Sequence, residues 1–178
     1  MVAALFLVMW NASYLNLVKV LLISVGAIQK IITLLAIYFF LAWTRNAAHN
    51  VHAFQRSGLQ YTPGWCVGWF FVPLANFVMP YRVFSQIWSA SEPERGIGIQ
   101  FWRSTPLLLV WWSSYVASRL VNVFASFLAN GSLVGIGVVG LIDAVLTGVA
   151  AVAIILVMRE IEANQGKIAA SFQSPTAA

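Results

Sequence analysis

Arg119 and Asp143 are the two residues of this chain whose types and spacing most clearly call for chemistry. They lie in the middle of two long apolar segments, 105–129 and 133–158, which are separated only by Asn130-Gly131-Ser132. Arg119 stands eleven residues before Asn130, and Asp143 stands eleven residues after Ser132. If both segments are helices rising about 1.5 Å per residue from that turn, the two charges share one depth near the centre of a bilayer. A lone charge there costs about 2.5–3.5 kcal/mol on insertion scales, so opposite charges at one depth are expected to meet. Two roles fit such a pair: an interhelical salt bridge that fixes helix pairing, or an element of a proton or ion path. Tyr115 and Asn122, one turn either side of Arg119, and Thr147, one turn past Asp143, extend it into a polar core.

Other candidates carry weaker chemistry. His49 and His52 share one helical face, and with Cys66 they invite a metal or haem reading. No Cys-x-x-Cys, His-Glu-x-x-His or carboxylate partner supports it, and histidines one turn apart cannot both be axial ligands of one haem. No metal is therefore assigned, and a cofactor stays unspecified. Trp65 and Trp69, one turn apart on a proline-bounded element, suit a stacking platform for a quinone, pigment or lipid; the plainer reading is an aromatic belt. Gly137, Gly140, Ala144 and Gly148 form a small-residue stripe for close packing, within the chain or between copies. The chain has no Gly-rich phosphate loop, no Gly-x-Ser-x-Gly and no acid dyad, because Glu92, Glu94, Glu160 and Glu162 fall in solvated flanks. It reads as a non-enzyme.

The elements that must position these residues are membrane elements. The 178 residues are 61% hydrophobic and 8% charged, whereas soluble domains carry about 25% charged residues. The net charge of +5 is scattered beside apolar segments, which is an orientation signal rather than a nucleic-acid footprint. An all-α membrane domain over 1–162 is expected, with four transmembrane helices near 2–22, 26–46, 105–129 and 133–158. The first pair is expected to turn back around Gly26; the competing reading is one long helix from about 14 to 48. Residues 64–91 are expected to form a proline-broken re-entrant or interfacial element between the second and third spans, with Asn76 capping backbone freed at Pro73. The element ends in an in-plane amphipathic helix presenting Tyr81, Phe84, Ile87 and Trp88. Arg45, Arg56, Arg82, Arg95, Arg103, Arg159 and Lys167, seven of ten basic residues, then share one side, so both termini are expected in the cytoplasm. Residues 163–178 read as a disordered tail.

The central segment also carries a resemblance. Trp43, Arg45 and Asn50, then Tyr61-Thr-Pro-Gly-Trp-Cys-Val-Gly-Trp-Phe-Phe-Val-Pro-Leu-Ala-Asn76, Met79-Pro-Tyr81 and Ile87-Trp-Ser-Ala-Ser91 resemble the bacterial family known as domain of unknown function 4328. The likeness is close over 43–91 and extends to the later spans by hydropathy alone. It implies a multi-pass protein of the bacterial cytoplasmic (inner) membrane and supplies no chemistry.

Three function classes follow. The first is a non-enzymatic structural or accessory subunit, or a small homo-oligomer, with membrane lipids and a membrane protein as partners and no nucleic acid. The second is a small transporter or channel built on Arg119 and Asp143. The third is a binder of quinone, pigment, lipid or haem.

Overall fold

The computed structural model describes residues 2–93, 105–128 and 131–173, with side chains from Tyr14 onward except Ser126, Leu128 and Leu133. Arg95, Arg103, Asn130 and residues 174–178 lie outside the described residues. Among the described residues the fold is all-helical: α1 (Val2–Ala53), α2 (Pro63–Gly68), α3 (Met79–Ala90), α4 (Pro106–Val123), α5 (Ala125–Leu128) and α6 (Leu133–Gln173). Two 3-10 turns, Trp69–Phe71 and Ala75–Phe77, connect α2 to α3. The chain divides into two compact units, one ending at Trp43 and one beginning at Thr44.

The expected four spans are corrected. Residues 2–46 make one helix and not two, because Gly26 is only a weak breaker and no proline or polar turn accompanies it. Two stretches, Tyr14–Ala53 and Val134–Gln173, are long and apolar enough to cross a membrane. The expected turn between the last two segments is present: Gly131 has φ +67°, and the Ser132 hydroxyl accepts from the Gly135 N–H at 2.9 Å to cap α6. The 163–178 tail is also corrected, since α6 continues to Gln173 with Gln165 and Ile168 buried.

The unit from Thr44 onward packs around the last turns of α1, α3, α4 and α6. The inward stripe of α6 runs Val139, Asp143, Leu146, Ala150, Ala153, Val157, Ile161, Gln165 and Ile168, three or four residues apart as one helical face requires. The α4 stripe is Leu108, Trp111, Tyr115 and Ser118. Against expectation, α3 does not lie with one face on a surface: Val83 through Ala90 are all buried, because Ser85, Ser89 and Ala90 are small enough for close neighbours on the face opposite Phe84 and Ile87. Gly137, Gly140 and Gly148 face open space, so the small-residue stripe lies outside this packing.

Gln165 knots the unit together. Its Nε2 donates to the Ala47 carbonyl and to the Ser91 hydroxyl, each at 3.0 Å, and its Oε1 accepts from Asn50 Nδ2 at 2.9 Å. Three stretches of chain far apart in sequence thus meet on one buried carboxamide. Gln165→Leu is expected to lower stability by about 2–3 kcal/mol, and Asn50→Ala, at an exposed position, by about 1 kcal/mol. Unfolding of the two variants in detergent checks this; equal effects would show that the knot does not hold the unit.

Candidate functional site

The local sequence builds a re-entering path toward α4. Thr62 caps α2, its hydroxyl accepting from the Trp65 N–H at 3.4 Å, with Pro63 in the first helical turn where no backbone donor is needed. Gly68 leaves room for Trp65: a Cβ there would sit 3.2 Å from the indole. The Trp65 and Trp69 rings then meet at 5.0 Å, with Tyr61 edge-on to Trp69 at 6.3 Å. Trp65 is 53% exposed, while the Trp69 indole N–H is buried without a partner.

Past Trp69 the chain reverses through Pro73-Leu74-Ala75. Leu74 has φ +63° and ψ −45°, and the Ala75 N–H donates to the Pro73 carbonyl at 2.7 Å, which makes a γ-turn of the rare, strained kind. Leu74 is 83% exposed at its tip. The Asn76 N–H returns to the Val72 carbonyl, so the turn satisfies its own backbone. The Asn76 side chain is not the expected cap and makes no hydrogen bond among the described residues.

This turn lies beside the middle of α4. Trp112 Nε1 donates to the Phe77 carbonyl at 3.2 Å, and Trp112 stacks on Tyr115 at 5.3 Å. The Arg119 guanidinium sits 5.4 Å from the centre of the Tyr115 ring, in cation–π range. Asn76, Phe77, Tyr115, Arg119, Asn122 and Val123 line a recess of about 440 Å³.

Arg119 and Asp143 share a network but do not touch. Ser118, 1% exposed, stands between them. Its hydroxyl donates to Asp143 Oδ1 at 2.5 Å and accepts from Arg119 Nη2 at 3.0 Å. With its only proton committed to the carboxylate, Ser118 Oγ also accepts from the Thr147 hydroxyl at 3.1 Å. Asn122 Nδ2 donates to Asp143 Oδ1 at 2.6 Å and to the Ser118 carbonyl at 2.9 Å. Both charges therefore act through one saturated hydroxyl. Depth matching missed Ser118, although Tyr115, Ser118 and Asn122 share a helical face at spacings of three and four.

His52 and Cys66 meet on one backbone oxygen, and His49 stands apart from them. His52 Nε2 donates to the Tyr61 carbonyl at 3.0 Å, and Cys66 Sγ points to that same oxygen at 3.9 Å. Gln86 Nε2 reaches it too, at 3.4 Å, and Gln86 Oε1 accepts from Gln60 N at 2.8 Å and Tyr61 N at 3.3 Å. His49 is exposed. Burial pushes the Cys66 thiol up to about 12, so it stays protonated and unreactive near neutrality.

The Pro-Gly-Trp helix start, the proline-broken turn and the Ser118 network all fall within one family match. The model for domain of unknown function (DUF4328) matches residues 8–164. The chain belongs to that family. No curated protein and no solved structure matches it. In this DUF4328 chain the matched region takes in the Ser118 network, the recess and the three residues that meet Gln165, and it ends one residue before Gln165 itself.

Ser118→Ala is expected to destabilise the chain by about 1–3 kcal/mol, since it removes the hydroxyl shared by Asp143, Arg119 and Thr147. Exchanging Arg119 and Asp143 is expected not to restore a damaged protein, because a guanidinium at position 143 needs more room between α4 and α6 than the carboxylate that Ser118 holds there. Guanidinium or thermal unfolding of the purified variants measures both. An unchanged Ser118→Ala midpoint would sink the bridging role.

Proposed function

We propose that this chain is a non-enzymatic membrane protein that serves as an accessory subunit, joined to a larger membrane partner through the first part of α1. The observation that carries this reading is a polar stripe on an otherwise apolar helix. At 3.6 residues per turn, Asn16, Lys19, Gly26, Lys30 and Thr33 fall within about 100° of the circumference. Around them Leu21, Leu22, Ile23, Ile31, Ile32 and Leu34 are more than half exposed. Lysines within an apolar span are costly unless paired, and no acidic residue precedes Glu92. A partner helix carrying a carboxylate satisfies both lysines. A second parallel copy would set Lys19 against Lys19, which argues against self-association.

In native gels after mild extraction, the natural chain is expected to run in a complex well above its own 19.6 kDa. The Lys19→Leu/Lys30→Leu variant, which is more apolar and so inserts at least as readily, is expected to run alone. A natural chain that runs alone, or a double variant still in the complex, would overturn the accessory role.

We infer an orientation in which α1 crosses the membrane once. With α4 lying along α6 as a hairpin, the passes number three, and Arg56, Arg82, Arg159 and Lys167 share the cytoplasmic side. The N-terminus then lies on the opposite side from Gln173. Cysteines at Ser13 and Gln173 are expected to label from opposite faces of the cytoplasmic membrane, with the buried Cys66 silent in both. Labelling of both from the same face would restore the even-pass arrangement.

A second reading, as a ligand binder, is favoured by the recess beside Arg119, where a strained turn and unspent donors meet.

A further inference from the structure

We propose that the recess between the 72–78 turn and α4 binds a single phosphodiester group, with Arg119 as its cation and the Asn76 carboxamide as its second donor. This deepens the binder reading and rests on the membrane reading only for the source of the group.

The argument begins with unspent donors. A guanidinium carries five N–H groups and cannot give up its charge. In this structure Arg119 makes one hydrogen bond, from Nη2 to Ser118, and one ring contact, with Tyr115. Asn76 makes no side-chain hydrogen bond among the described residues, and Asn122 spends its Nδ2 on Ser118 and Asp143. The recess is thus lined by a cation, the unspent carboxamide of Asn76, the Asn122 side chain with both of its donors already given to Asp143 and Ser118, and the apolar walls of Phe77, Tyr115 and Val123, so the donors it offers are those of Arg119 and Asn76. Among the described residues no carboxylate lines it. Acceptor oxygens bearing negative charge complement that set, and guanidinium matches the O–P–O edge in bidentate fashion.

Charge selects among anions. Asp143 stands one hydroxyl away, its Oδ1 held by Ser118 and Asn122, so it offsets part of the Arg119 field without entering the recess. A site of one cation partly offset suits a monoanion better than a dianion. A phosphodiester fits this, being a monoanion at all pH values near neutrality, whereas inorganic phosphate is there divided between monoanion and dianion. The volume of about 440 Å³ falls in the range of small-molecule sites, roughly 300–1,000 Å³, and holds a headgroup with the start of its glycerol. The strained γ-turn at Leu74 supports the assignment independently, because backbone held in a rare conformation clusters at ligand clamps.

The test uses the full chain in nanodiscs of phosphatidylcholine with or without phosphatidylglycerol, read by native mass spectrometry, and separately with inorganic phosphate as a competitor. One phosphatidylglycerol is expected to stay with each chain in preference to phosphatidylcholine, whose phosphodiester is already offset by its own quaternary ammonium. Arg119→Gln is expected to lower that preference about tenfold, and Arg119→Lys by less, since the charge stays while the planar fork is lost. Asn76→Ala, which touches neither Ser118 nor Asp143, is expected to lower it several-fold and covers the case in which Arg119→Gln does not fold. Displacement of the lipid by inorganic phosphate at comparable concentration would overturn the phosphodiester assignment and give the site to free phosphate. Retention equal in the natural chain, Arg119→Gln and Asn76→Ala would overturn the proposal. A chain that does not enter nanodiscs at all would overturn the membrane reading instead, leaving phosphate binding to decide the recess.

Discussion

The hydrogen bond from Ser118 to Asp143 is the constraint on which the rest of this arrangement depends. It fixes the register of α4 on α6, because a hydroxyl with one proton can serve one carboxylate in one position. That register in turn places Arg119 on the far side of Ser118, turned toward the 72–78 turn and not toward Asp143. A direct ion pair would have consumed the guanidinium inside the helix interface. Interposing serine keeps the positive charge partly offset yet leaves most of its donors available. The polar core is thus a joint and a presentation device in one geometry.

The same economy of polar groups recurs at Gln165 and Tyr61. Gln165 has a single carboxamide, and all of its directions are taken by α1, α3 and Asn50. The Tyr61 carbonyl gathers His52, Gln86 and Cys66. Each hub lies where irregular or terminal backbone must be enclosed, and an unpaired group there would cost about 1–3 kcal/mol. Trp69 and Trp88 depart from the pattern, with buried indole N–H groups that lack a protein acceptor. We have no physical account of those two.

What was legible in the sequence followed from local rules. The Gly131 turn, the Thr62-Pro63 helix start and the closeness of Trp65 to Trp69 depend on neighbours within four residues, and their residue types encode them. The polar character of the Tyr115–Asn122 face was readable from helical spacing. The errors came from information that local spacing does not hold. One glycine at position 26 does not break a 52-residue helix unless tertiary contacts favour the break, and among the described residues around it none does. The α3 segment shows an amphipathic pattern, yet its serines and alanine are core residues, because smallness serves close packing as well as polarity serves water. The tail 163–173 looked polar since its one decisive buried group, Gln165, is itself polar.

The direct Arg119–Asp143 contact failed for a related reason. Equal depth on two antiparallel helices constrains height and leaves rotation free. On α4, a step of one residue turns the side chain by about 100°, so Ser118 and Arg119 cannot both face α6. Serine faces inward because a short hydroxyl fits between closely packed helices, where a guanidinium would hold them apart. Arginine is then left at the edge with a long stem and an aromatic neighbour. Arg119 stays exposed at that edge, and the proline-broken turn carries Asn76 and Phe77 to α4 at the level of Tyr115 and Arg119, so that the turn and the arginine together form the recess.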